Sequence, residues 1–131
     1  MESVLLFLRL HEVLAIHARG IEEFGGTHGV RDAGALESAL AAAENRAYYE
    51  QASLTICAAT YAYHLAQAHA FLDGNKRVAA AVAEIFLELN GGQLRATNDE
   101  LVDFFLAIAA GQVDRQKVEE WFVQPVAVKQ V

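Results

Sequence analysis

The chain has 131 residues, a net charge of −7, an apolar fraction of 54% and a charged fraction of 21%. That is enough chain for one domain with a buried core, and the balance excludes a disordered chain. A field of this sign also repels nucleic acid, so any anionic ligand needs a local cationic site. One proline and abundant Ala, Leu and Glu favour helix over strand.

In chain order, apolar residues recur at helical spacing from about Ser3 to Arg19, with Leu6, Leu10, Val13, Leu14 and His17 on one stripe. Gly20 either ends that helix or lets it run on to Phe24, before a loop from Gly25 to Arg31. Asp32 is an N-cap for a helix through Leu36, Ala39, Leu40 and Ala43. The pattern breaks at Ala47 to Ala52, where Tyr48 and Tyr49 read as briefly extended.

Ser53 caps a central helix to about Ala68, followed by a loop from His69 to Gly74. The uncharged run from Gln51 to Leu72 is long enough to span a bilayer, but its hydroxyls, amides and histidines mark a buried core helix. The next helix runs from near Asn75 to Asn90, with Val78, Val82, Ile85, Phe86 and Leu89 on its apolar stripe and Gly91-Gly92 as its stop. Thr97 and Glu100 have capping-box spacing before Leu101 to Ala110. Asp114 caps a last helix ending before Pro125, and a loose tail is expected from there. The sum is one all-α domain over residues 1–131, a compact bundle of about six helices with a short flap-like segment before the central helix.

Cys57 reads as a small buried apolar residue, since no neighbour in sequence would activate a thiolate. A single cysteine and the lack of a convincing signal peptide fit a cytoplasmic protein. Several motifs fail. His11-Glu12 lacks the second histidine of a zinc-protease helix, because Ala15 stands there. His11 and His17 are too far round the helix to share a metal, and read as core or surface histidines. No phosphate-binding P-loop, dinucleotide fingerprint or zinc spacing is present.

Chemistry concentrates in His69-Ala70-Phe71-Leu72-Asp73-Gly74-Asn75-Lys76-Arg77. This segment reads as a loop that opens the N-terminus of a helix, where unpaired N–H groups attract anions. Gly74 permits a tight turn. Lys76 and Arg77 in the first turn oppose the helix dipole, a conflict that a bound phosphate resolves. Asp73 is a hard oxygen ligand suited to Mg²⁺, and His69 is a candidate general base. Phe71 reads as an anchor that plugs the loop into the core. Taken singly, each polar residue also fits a bland role as cap, core histidine or solvated charge; together they match phosphoryl or nucleotidyl transfer.

The segment resembles the signature of the Doc toxins, a branch of the Fic superfamily: His-x-Phe-x-(Asp/Glu)-Gly-Asn-(Gly or Lys)-Arg. Leu10-His11 through Phe24-Gly25-Gly26, Gly29-x-Arg31-Asp32, Ala35 to Ala39 and the helix end at Phe86 to Gly91 also look Doc-like. The resemblance implies that His69 deprotonates a target hydroxyl, that Asp73 holds Mg²⁺, and that Gly74, Asn75, Lys76 and Arg77 bind the phosphates of ATP. It implies that Arg46 to Ser53, with Tyr48 and Tyr49, forms a flap that docks a target segment as an added strand. Lys76 replaces the second glycine of nucleotidyl-transferring Fic enzymes, and Ala80 their second arginine. The implied reaction is therefore phosphorylation of a Ser or Thr hydroxyl, with elongation factor Tu as target and translation as the process inhibited. Nucleotidyl transfer (AMPylation) and an inactive binding module are the alternatives. Glu44-Asn45 matches the inhibitory Fic helix only by coincidence, because Leu40 stands where that helix has its hydroxyl residue. Inhibition would then come from a separate antitoxin whose disordered segment folds on the toxin.

Overall fold

A computed structural model describes residues 4–128. Six helices follow in order: α1 (Leu10–Phe24), α2 (Ala33–Glu50), α3 (Leu54–Ala68), α4 (Asn75–Leu89), α5 (Asn98–Ala109) and α6 (Arg115–Val123). Two short strands, β1 (Gly92–Leu94) and β2 (Val126–Val128), pair antiparallel, with Gly92 opposite Val128 and Leu94 opposite Val126. No helix of the described residues is long and apolar enough to cross a membrane.

The central helix is α3, packed most extensively against α2, α4 and α6. Cys57, Ala58, Ala59, Ala62 and Ala66 are fully buried on it, and side chains this small let neighbouring helices approach closely. Tyr61 is buried too, stands edge-on to Phe86, and its hydroxyl accepts the Leu8 N–H at 3.2 Å. Ser53 caps α3 through the Ile56 N–H, Asp32 caps α2 through Ala35, and Asp114 caps α6 through Lys117. Thr97 and Glu100 form the expected capping box of α5. Cys57 is buried as expected, and burial pushes its thiol up to about 11.

Four local expectations fail, each for a visible reason. First, α1 starts at Leu10 rather than near Ser3, which lies outside the described residues. The preceding segment is irregular because the Asn90 side chain holds Leu6 through both its N–H, at 2.7 Å, and its C=O, at 3.0 Å. The buried stripe of α1 is consequently Val13, His17 and Ile21, while Leu6, Leu10 and Leu14 are exposed. The helix passes through Gly20 and stops at Gly25.

Second, α2 does not break at Ala47. It runs on to Glu50, so Tyr48 and Tyr49 are helical, and both are exposed at 77% and 76%. Arg46 holds this last turn to Glu50 at 3.3 Å and ties it to Glu119 of α6 at 2.9 Å. The turn comes only at Gln51, in the left-handed region at φ 53°. No extended flap carries the two tyrosines.

Third, Leu89 is 48% exposed, and Ile85 is only partly buried; Val78, Val82, Phe86 and Leu87 form the buried face of α4. Fourth, the tail is paired as far as Val128, and Arg95 N–H donates to Pro125 C=O at 2.7 Å; positions 129–131 lie outside the described residues.

Candidate active site

The motif segment joins α3 to α4 and is held from three sides. His69 is the C-cap of α3, exposed and left-handed at φ 47°. Arg31 grips the His69 carbonyl with Nε at 3.2 Å and Nη2 at 2.6 Å. Residues 29–32 run alongside the loop: Arg31 and Asp32 N–H both donate to Ala70 C=O, and Leu72 N–H donates to Gly29 C=O. Val30 and Phe71 form an isolated antiparallel bridge there.

Phe71 is the anchor that its lone aromatic character on a polar loop predicts. It is 1% exposed and lies against the His17 imidazole, with ring centroids 3.8 Å apart and planes at 11°. The Asn75 carboxamide closes the loop on itself. Its Oδ1 accepts the Phe71 N–H and its Nδ2 donates to the Phe71 C=O, each at 2.9 Å.

Asp73 points into solvent with its carboxylate held at both oxygens. Oδ1 accepts the Gly74 N–H at 2.8 Å and Oδ2 accepts the Thr27 N–H at 3.0 Å. These two backbone bonds hold its carboxyl below the usual carboxylate range, with Arg77 and His17 adding smaller charge effects. Gly74 is the N-cap of α4 at φ 75°, a left-handed conformation that favours glycine. The first bond from this cap is Val78 N–H to Gly74 C=O at 3.0 Å, so the amides of Asn75, Lys76 and Arg77 precede the helical ladder. No acidic residue occupies that first turn.

Lys76 and Arg77 are both exposed. Arg77 folds back across the end of α1. Its Nη1 is 3.4 Å from the Gly20 carbonyl and 3.3 Å from that of Gly25, and its guanidinium lies 5.1 Å from the Phe24 ring centroid. Asp73 to Arg77 line a groove of about 660 Å³. Its far wall is Leu101, Val102, Phe105 and Leu106 of α5, and Ala80 and Glu84 of α4 extend its floor. Tyr48 and Tyr49 do not line it.

Asp73 is the carboxylate at this helix start that could take a divalent cation such as Mg²⁺. Among the described residues no three His, Cys, Asp or Glu side chains come together as a metal cage. One exposed carboxylate beside a cationic helix start is the arrangement in which Mg²⁺ is completed by phosphate oxygens and water. Three residues that shape the site escaped sequence reading in that role. Arg31 and Thr27 act on the loop through backbone groups, which side-chain chemistry does not reveal. His17 was legible only as a histidine on an apolar stripe.

Residues 7–87 match the Fic/DOC family. The chain is 34% identical over 110 residues to "Protein kinase doc" of Escherichia phage P1, covering 83% of this chain and 86% of that protein. It is 45% identical over 78 residues to "Toxin Doc" of Mycolicibacterium smegmatis, covering 58% of this chain and 60% of that one. The chain belongs to the Fic/DOC family, and its relatives place it with the Doc branch.

Proposed function

We propose that this chain is a Doc-type toxin that transfers the terminal phosphate of ATP to a Ser or Thr hydroxyl of a protein target, with elongation factor Tu the expected target. The observation that carries the reading is the order of groups along the segment: exposed His69, a fixed Asp73 carboxylate, then a helix N-terminus bearing Lys76 and Arg77, with Asp73 to Arg77 lining the groove and His69 outside its lining. Similarity to a protein named as a kinase supports the same reaction.

In this reading, the His69 imidazole accepts the proton of the target hydroxyl as its oxygen attacks the terminal phosphorus. The bond from that phosphorus to the bridging oxygen breaks, and ADP leaves. The free amides of Asn75, Lys76 and Arg77 and the Lys76 ammonium face the negative charge on the phosphates, while the Arg77 guanidinium, folded onto the Gly20 and Gly25 carbonyls, adds its charge from the side. Asn75 contributes through its backbone N–H, because its carboxamide is engaged with Phe71. Asp73 would hold Mg²⁺, which neutralises phosphate charge when bound. Lys76 fills the position where nucleotidyl-transferring Fic enzymes carry glycine, and Ala80 leaves out their second arginine, so terminal-phosphate transfer is favoured over nucleotidylation.

The proposal includes a cognate antitoxin that suppresses the activity through a segment that folds on binding. It also includes action in the cytoplasm, where the translation machinery works. A cell-free translation reaction tests it. Added protein should stop synthesis, and His69→Ala should leave synthesis running; unimpeded synthesis with the native chain, or arrest by both proteins, would contradict the reading.

A further inference from the structure

His17 sits on α1, 5% exposed, and reaches the motif loop across the fold. Its Nε2 lies 2.7 Å from the Asp73 carbonyl oxygen. A carbonyl only accepts, so Nε2 carries the hydrogen, which selects one neutral tautomer or the imidazolium. The ring is fixed from behind by its flat contact with Phe71.

The Asp73 C=O and the Gly74 N–H belong to one planar trans peptide and point in opposite directions. Fixing the carbonyl therefore fixes where the Gly74 N–H points. That N–H is one of the two donors on the Asp73 carboxylate, the other being Thr27 N–H. Gly74 leaves room for this arrangement. A Cβ there would approach Ile21 Cδ1 to 3.2 Å and His17 Nε2 to 3.5 Å.

We propose that His17 is the positioning residue for Asp73: its Nε2–H orients the Asp73–Gly74 peptide so that the carboxylate stays aimed at the ligand groove. The ring stack alone is a packing contact that phenylalanine could supply. The positioning resides in the donor, and the substitution His17→Gln would retain a donor of similar reach. The consequence for Mg²⁺-nucleotide binding rests on the phosphate-transfer reading above; the consequence for loop geometry does not.

Two measurements on His17→Phe and His17→Gln, each checked for native helix content and a cooperative melt, test this. The first is amide hydrogen exchange at Gly74 and Thr27, referenced to Leu65 in the core of α3. His17→Phe should speed exchange at both by about tenfold or more against that reference, and His17→Gln should stay within about threefold of the native chain. Equal protection in His17→Phe, or equal loss in His17→Gln, overturns the proposal. If His17→Phe fails to fold, His17→Met takes its place, since it also lacks the donor; native protection in that variant overturns the proposal.

The second measurement is calorimetric affinity for ATP with and without Mg²⁺. His17→Phe should weaken Mg²⁺-ATP binding by about 10- to 100-fold, the usual effect of losing a group that orients a metal ligand. ATP without metal should change less than about twofold, and His17→Gln should restore most of the Mg²⁺-dependent affinity. An unchanged Mg²⁺-ATP affinity in His17→Phe, or an equal loss with and without metal, overturns the proposal. A native chain that binds no Mg²⁺-ATP would instead sink the phosphate-transfer reading, while hydrogen exchange still decides the role of His17.

Discussion

The Asn75 carboxamide grips both main-chain polar groups of Phe71, accepting its N–H and donating to its C=O at 2.9 Å each. The motif asparagine is thereby the clasp of the loop. Asn75→Ala removes both partners, and the expected cost is about 1–3 kcal/mol, because the groups lie in a partly buried turn. Asn75→Asp keeps the acceptor but presents no amide to the Phe71 carbonyl, so it should be destabilised as well. Denaturant unfolding of both variants checks this; native stability in either would mean that the clasp is dispensable.

His69 is exposed, so its truncation should leave the melting temperature nearly unchanged while removing the proposed base. Loss of a general base typically costs about 10²–10⁴-fold in rate. A His69→Ala variant with full transfer activity would refute the base assignment. One that loses both fold and activity would place His69 in the framework instead.

Helix α4 separates two neighbouring leucines. Leu87 is fully buried and Leu89 is 48% exposed. Leu87→Ala should cost about 2–5 kcal/mol, and Leu89→Ala about 0.5 kcal/mol or less. Equal destabilisation in thermal or urea melts would contradict the packing described for this helix.

The order of helices and their caps was legible because it rests on local signals. Asp32, Ser53, Thr97 and Asp114 each cap the helix that they precede in sequence. The motif loop was legible as a cluster, and Phe71 as its anchor. What stayed hidden depends on partners distant in the chain. Asn90 unwinds the segment before α1 by bonding Leu6, Arg46 extends α2 through Glu119, and His17 reaches Asp73 across 56 positions. Helical periodicity alone also could not decide which side of Leu89 would face the core, since the stripe drifts as the helix ends.

Cys57 is fully buried, and burial is the main cause that raises its thiol from 9.0 to about 11. The neutral form is thus favoured in the fold. The associated stability is present below the unfolded value of about 9 and is lost as pH rises through about 11. Iodoacetamide at about pH 8 should leave Cys57 unmodified until the chain is unfolded. Rapid alkylation of the native protein would show that α3 is not packed as described.

Gly26 stands against the site carboxylate. A Cβ there would come within 2.6 Å of Asp73 Oδ2, and its φ of +124° is already strained for any other residue. Gly26→Ala should push the carboxylate off its Thr27 donor and weaken Mg²⁺-dependent nucleotide binding, with metal-free binding less affected. Calorimetry of the two forms checks this, and unchanged Mg²⁺ dependence would argue against Asp73 as the metal ligand.

Intact-mass spectrometry of elongation factor Tu, after incubation with this protein, ATP and Mg²⁺, tests the central claim most directly. The account predicts a gain of one phosphate that is absent with His69→Ala. A gain of a nucleotide monophosphate, or an unmodified factor under conditions where the protein arrests translation, would contradict it.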